Sequence, residues 1–226
     1  LSDHWDPFGI GWAMDVSRDQ LLLLLGATQE SLSPDEARDK GGDSDDPEKC
    51  DDGVGYNAGG NITYLPRERF REGKDGCRAV GAIEFHEGGT ESMQGGTKTI
   101  WKYDCERKLA PVDPPGYTQL PKGNRARGHL AGCQFGGSGS DLRNLVPLYQ
   151  AANSPVMSNI ENAIAKQIKG GQSVKKYTTA VYGDANSPIP DYIHIVAKGN
   201  RGMNVDCHIP NLPYREDAVC LMEKYE

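Results

Sequence analysis

No apolar run in the 226-residue chain approaches the length of a membrane span, about 20 residues. The longest, Leu21 to Leu25, is five leucines between Gln20 and Gly26. That suits a buried helix turn and is too short, with acidic residues before it, for the core of a signal peptide. None of the six cysteines forms a C-x-x-C pair, which removes support for zinc-ribbon and thioredoxin-like readings. The glycine-rich stretch Gly136-Gly137-Ser138-Gly139-Ser140 lacks the Lys-Ser/Thr that makes a phosphate-cradling P-loop, and reads as a turn. No internal repeat is visible. Basic charge is also short: the formal net charge is −7, which over the whole chain argues against a polyanionic partner.

The distribution of charge reverses that argument. Residues 1–55 hold 14 acidic and 4 basic side chains, whereas residues 56–226 hold 18 acidic and 21 basic. Between Pro121 and Lys176 stand Lys122, Arg125, Arg127, Arg143, Lys166, Lys169, Lys175 and Lys176 against only Asp141 and Glu161. A positive field over one segment is what a polyanion needs. The cysteines (Cys50, Cys77, Cys105, Cys133, Cys207, Cys220) are even in number and spread along the chain, which favours disulfides and a secreted, extracellular protein over buried free thiols. Their pairing is open among 15 connectivities. The sequon Asn61-Ile62-Thr63 is compatible with secretion, and the leading Leu1 suits a matured or excised chain.

With 28 glycines and 14 prolines the chain is expected to be folded but rich in loops. Residues 1–55 are expected to form an acidic, partly helical extension: an apolar stretch over 12–26, then Ser33-Pro34-Asp35-Glu36 with capping-box spacing, then a Gly/Asp-rich linker over 40–55. Residues 56–226 form the main domain. Strands are expected over 80–85, 99–103, 177–182, 192–197 and 203–209. The last alternates Met203, Val205, Cys207, Ile209, the period of a half-buried strand. The best helix runs over 154–169. Ser154 is placed to cap it and Pro155 suits its first position. Val156, Ile160, Ile164 and Ile168 form one apolar stripe, and Gly170-Gly171 stops it.

The chemistry gathers between Arg125 and Glu161. Hydrolysis of a phosphodiester needs a base for water, a cation over the developing charge and anchors for phosphate. His129 is the candidate base, because a neutral imidazole takes a proton near neutral pH. Arg127 would share a strand face with His129 and grip phosphate in two prongs. Asn153, just before the helix, offers a hard neutral oxygen suited to Mg²⁺. Glu161 lies eight residues on, about 12 Å along a regular helix, too far for the same inner coordination sphere but placed to hold water beside the ion. Asn144 opens the second strand of a hairpin whose first strand carries His129. Arg125, Arg143 and Lys122 are candidate substrate-binding cations.

The ordered strings Arg-Gly-His-Leu (127–130), Gly-Gly-Ser-Gly-Ser-Asp-Leu-Arg-Asn-Leu-Val-Pro-Leu (136–148) and Asn-Ser-Pro-Val-Met (153–157), with Glu161, resemble the DNA/RNA non-specific endonuclease family of the His-Me finger (ββα-metal) superfamily. The likeness is strongest to its bacterial branch of secreted nucleases and toxin modules, and covers Tyr56 to Asn211. It implies an α+β fold, a central antiparallel sheet with a ββα-metal motif and flanking helices. It also implies roles: His129 as general base, Asn153 as Mg²⁺ ligand (Mn²⁺ as the substitute ion), Glu161 as holder of a water cluster, Arg127 as phosphate or transition-state contact, and Asn144 as a supporting site residue. The family's Asp-Arg-Gly-His differs here, with Ala126 at the aspartate position. The implied activity is sugar-blind cleavage of DNA and RNA to 5′-phosphate ends.

Two other readings carry tests. Asp6-Pro7-Phe8-Gly9-Ile10 faintly resembles the element preceding toxin tips, and would imply an immunity or inhibitor protein as partner. A non-catalytic, zinc-stabilised nucleic-acid-binding module would draw ligands from His129, Cys133, Cys207 and His208.

Overall fold

A computed structural model describes residues 50, 52–71, 76–88 and 112–221. The expected helices and linker over 12–49, the strand over 99–103 and the Asp6–Ile10 element lie outside the described residues.

The main body is a seven-stranded sheet in which every neighbouring pair is antiparallel. Its strands, in spatial order, are β1 (Gly55–Tyr56), β2 (Ile62–Tyr64), β5 (Gly81–His86), β8 (Val174–Val181), β9 (Tyr192–Gly199), β10 (Asn204–Pro210) and β11 (Val219–Leu221). Two small ladders accompany it: β3 (Glu68–Arg69) with β4 (Cys77–Arg78), and β6 (Ala126–His129) with β7 (Leu145–Leu148). The alternation expected for 203–209 holds: Val205, Cys207 and Ile209 are buried while Asp206 and His208 face outward.

Helix α1 (Ser158–Lys169) begins later than the expected helix over 154–169. Ser154 is extended (φ −149°, ψ 121°), the Ser154–Pro155 bond is cis, and Ala152–Met157 forms a wide irregular turn. Ser154 therefore caps nothing. Met157 occupies the cap position, and the nearest hydroxyl bond runs from Ser158 Oγ to the Pro155 carbonyl at 3.0 Å. The apolar stripe survives this shift: Val156, Ile164 and Ile168 are buried and Ile160 packs at the core's edge. They meet Ile193, Ile195, Ala197, Val205 and Ile209 from the sheet's inner face, with Leu130 and Phe135 from the β6–β7 loop. Removing apolar surface from water on both sides of this layer is what fixes the hairpin and helix onto the sheet.

Disulfides tie one edge of the main sheet and the β3–β4 ladder. Cys207 and Cys220 are directly opposed on β10 and β11, with Cα atoms 4.0 Å apart. Cys50 is bonded to Cys77. Cys133 is also disulfide-bonded, and no cysteine among the described residues is free. The Cys50 bond, the Arg67–Asp52 pair (2.7 Å) and the bond from Arg143 Nη1 to the Gly53 carbonyl (2.9 Å) tie the chain just before β1 into the body. Within the sequon, Ile62 and Thr63 are buried, and the Asn61 amide is engaged by Asn57 and His86.

Candidate active site

The hairpin β6–β7, the irregular turn and α1 form a consecutive strand–strand–helix unit on the inner face of the sheet. In β6, Ala126 and Gly128 are buried while Arg127 and His129 share the more exposed face. Gly128 is needed for the packing, since a Cβ there would lie 2.4 Å from Leu148 Cδ1. The hairpin's ends are joined by a long loop over 130–144 rather than by the Gly136–Ser140 turn alone. Gly136 adopts φ +95°, and a Cβ on Gly137 would lie 1.7 Å from the Ala131 carbonyl oxygen, so both positions require glycine.

Asn144 fastens this loop. It is fully buried; its Oδ1 accepts from Ala131 N (2.8 Å), and its Nδ2 donates to the carbonyls of Ser138 (2.8 Å) and Ala131 (3.0 Å). Its side chain is thus bonded to the backbone that follows His129 and to the Ser138 carbonyl. Arg143 is also held by partners within the protein. Its Nε and Nη2 bind the Asp141 carboxylate (2.9 and 2.7 Å) and its Nη1 the Gly53 carbonyl, so its fork is spent inside the protein.

Arg125 and Arg127 keep more freedom. Their guanidinium carbons stand 4.5 and 4.6 Å from the Tyr117 ring centroid, a cation–π platform. Arg127 also pairs with Asp113 (Nη2 to Oδ1, 2.5 Å), while Arg125 makes only a long bond to the Leu120 carbonyl (3.4 Å). Lys122 is exposed on the turn before β6. The uniform positive field expected over 121–176 is therefore thinned: Asp113 and Asp141 balance two of its cations, and Lys176 is not at the surface at all.

Lys176 is the residue that sequence reasoning misplaced. It is wholly buried on the inner face of β8, opposite Glu84 of β5 in the strand register. Its Nζ donates to Glu84 Oε1 at 2.5 Å, lies 3.6 Å from Glu161 Oε1 and reaches the Leu130 carbonyl at 3.5 Å. His86 Nε2 stands 2.9 Å from the other Glu84 oxygen. Burial alone would drive the Glu84 carboxyl upward, but Lys176 and His86 together hold it below the usual carboxylate range. Burial would likewise lower Lys176, and the two glutamates outweigh that and raise it. One ammonium cannot neutralise two carboxylates, and Glu161 is the more distant of them. Burial, reinforced by Glu84, raises its pKa in spite of Lys176.

Three polar groups of the strand–strand–helix unit contrast with this saturation. Glu161 Oε1 is buried with no hydrogen-bond partner. The His129 ring and the Asn153 carboxamide make no side-chain hydrogen bond among the described residues, although Asn153 N is fixed to the Tyr149 carbonyl at 3.1 Å. Burial lowers the His129 pKa, so its imidazole is neutral at neutral pH. Gly132 keeps the space beside Glu161 open, since a Cβ there would lie 2.6 Å from Oε1. An orphaned carboxylate oxygen beside a glycine-made gap, with a free carboxamide one irregular turn before it, suits a hydrated hard cation. The regular-helix separation of Asn153 and Glu161 does not apply, because the chain between them is not regular helix. The four-residue zinc set is excluded: Cys133 and Cys207 are oxidised and offer no thiolate.

Residues 102–201 match the family model described as DNA/RNA non-specific endonuclease. No curated protein matches the chain. Among solved structures it is similar to NucA from Streptococcus agalactiae with magnesium ion bound, at 19% identity and TM-score 0.49, over 60% of this chain and 68% of that one. The same NucA with no metal bound aligns at 18% identity and TM-score 0.44, over 62% and 67%. Sda1 nuclease with bound zinc ion aligns at 16% identity and TM-score 0.48, over 68% and 74%. The matched residues 102–201 include the hairpin and helix that carry His129, Asn153 and Glu161, so the candidate site lies in the part of the chain that is similar to the DNA/RNA non-specific endonuclease family.

Proposed function

We propose that this protein is a divalent-metal-dependent, sugar-non-specific endonuclease of DNA and RNA, with His129 as general base and Asn153 as the ligand of Mg²⁺ or Mn²⁺. The observation that carries the reading is that the His129 ring, the Asn153 carboxamide and Glu161 Oε1 lack a hydrogen bond on one strand–strand–helix unit, whereas the other buried side-chain polar atoms of the described residues are hydrogen-bonded except at Asp52 and Thr178. A bound Mg²⁺ would supply positive charge over the phosphate and the departing 3′ oxygen. His129, neutral through burial, takes the proton of the attacking water. Glu161 Oε1 accepts a hydrogen bond from water next to Asn153 and keeps that water oriented. Arg127 and Arg125, stacked on Tyr117, grip phosphate oxygens, and Lys122 extends the cationic rim. Contacts of this kind read backbone rather than base, which accounts for low sequence preference.

The nuclease unit in this reading begins at or before Cys50, whose disulfide belongs to the body, with the acidic segment ahead of it. Disulfides are compatible with a secreted site of action, and no helix among the described residues is long and apolar enough to cross a membrane. No observation on the described residues favours an immunity protein or toxin role over a free nuclease.

Digestion of plasmid, single-stranded DNA and RNA in Mg²⁺, Mn²⁺ and EDTA tests the proposal. Cleavage of all three substrates should stop in EDTA. His129→Ala should lower the rate by about 10²- to 10⁴-fold while DNA binding persists. Undiminished cleavage by His129→Ala, or in EDTA, would overturn the assignment.

A further inference from the structure

The outer face of the sheet, turned away from the nuclease unit, carries a second group of chemistry-bearing side chains. His194 of β9 and His208 of β10 are directly opposed in the strand register, and Asp206 lies two residues before His208 on the same face. The two imidazoles stack with centroids 4.2 Å apart. Asp206 Oδ1 stands 2.7 Å from His194 Nε2 and 3.8 Å from His208 Nε2. One ligand atom from each residue falls within a mutual span of 4.8 Å. None of the three belongs to the catalytic reading above.

We propose that His194, Asp206 and His208 form a binding site for a borderline transition-metal ion of the Zn²⁺ class, separate from the nuclease centre. A tetrahedral ion with bonds of about 2.0–2.1 Å needs ligand atoms roughly 3.3 Å apart. The two distances to Asp206 Oδ1, 2.7 and 3.8 Å, lie on either side of that separation, and all three donors lie within 4.8 Å of one another, so a bound ion would draw them together by side-chain rotation. The backbone is already rigid. Seven registered pairs join β9 to β10, and Cys207, between Asp206 and His208, is bonded across to Cys220 of β11. The Tyr192 ring, 5.2 Å from that of His208, flanks the site. Two imidazoles and one carboxylate suit Zn²⁺, Co²⁺, Ni²⁺ or Cu²⁺, whereas Mg²⁺ prefers an all-oxygen shell. The two centres therefore select different ions by ligand chemistry. Three protein ligands leave a fourth position open to water. The bound ion clamps β9 to β10, so it stabilises the fold by mass action.

Zn²⁺ titrated into the full, chelator-treated chain tests this without reference to nuclease activity. Long-range ¹H–¹⁵N imidazole spectra should show the Nε2 signals of His194 and His208 moving together and saturating at one equivalent, with His86 unmoved. The thermal midpoint should rise by several degrees and the gain should vanish in His208→Gln and in Asp206→Asn. Asn153→Ala should retain the full response, which separates this site from the catalytic one. Unmoved His194 and His208 signals, movement of one imidazole only, or an equal thermal gain in the variants would overturn the site and leave a plain cross-strand hydrogen bond.

Discussion

His129 and Glu161 are shifted in opposite directions by the same cause. Burial disfavours charge on both, which lowers the imidazole and raises the carboxyl. For His129 the consequence is kinetic: the acid limb of kcat/KM should fall at a pH below the ordinary histidine value of 6.5, and a pH–rate profile reads it directly. The linked stability follows the same sign. It is present above 6.5 and declines as pH falls through the depressed value, because the unfolded chain takes the proton first. Glu161 runs the other way. Its protonated form is favoured in the fold, so stability is full below the ordinary 4.5 and is lost as pH rises through the raised value. Glu161→Gln should therefore unfold at an equal or higher temperature than the parent at pH 7 while cleaving at least about tenfold more slowly. Calorimetry beside a cleavage assay checks both; a lower melting temperature with unchanged cleavage would contradict the role.

Strand β8 shows how an element can mislead when read alone. Its sequence Val-Lys-Lys-Tyr-Thr-Thr-Ala-Val places apolar residues in both alternating phases, so either face could be the buried one. Pairing with β5 decides, setting Lys176 against Glu84 and Lys175 against Phe85. Lys176 is then the post between the sheet, Glu161 and the Leu130 carbonyl next to His129. Lys176→Met should destabilise the protein by about 3–5 kcal/mol, since it leaves Glu84 buried without its cation. Adding Glu84→Gln to that variant should recover much of the loss in denaturant titrations. Additive losses would show that the pair is not coupled. The helix teaches the converse. The stripe of Val156, Ile160, Ile164 and Ile168 was legible, because period 3.6 survives translation into packing. Its start was not, because the extended Ser154 displaces a cap that local spacing alone would grant.

At the scale of the whole molecule, one covalent tie joins the last two strands of the main sheet and another joins the chain before β1 to the small β3–β4 ladder. The Cys50–Cys77 and Cys207–Cys220 bonds close segments of 27 and 13 residues. In the chain-entropy picture, opening either should cost roughly 3–3.5 kcal/mol. Reduction under native conditions should thus lower the thermal midpoint by several degrees or more, measured by scanning calorimetry with and without thiol. An unchanged midpoint would mean that the bonds constrain nothing the fold does not already hold. Asn211 adds a non-covalent tie of the same reach. Its Oδ1 accepts from Tyr149 N (2.8 Å) and its Nδ2 donates to the Pro190 carbonyl (2.8 Å), so it joins the end of β7, where the chain turns toward Asn153, to the main sheet.

Composition, period and motif order determined an α+β chain, the strands that became β5, β8, β9 and β10, the hairpin bearing His129, and the likeness of residues 102–201 to the non-specific endonuclease family. Each of these depends on neighbours along the chain, where local sterics and alternation act. Tertiary structure alone decided that Asn144 and Arg143 serve the loop, that Lys176 lies inside, and that Glu161 keeps an unsatisfied oxygen. It also set two histidines and an aspartate from adjacent strands on one outer face. Burial and pairing partners come from residues dozens of positions apart, and the free energy of a charge depends on them far more than on its own letter in the sequence.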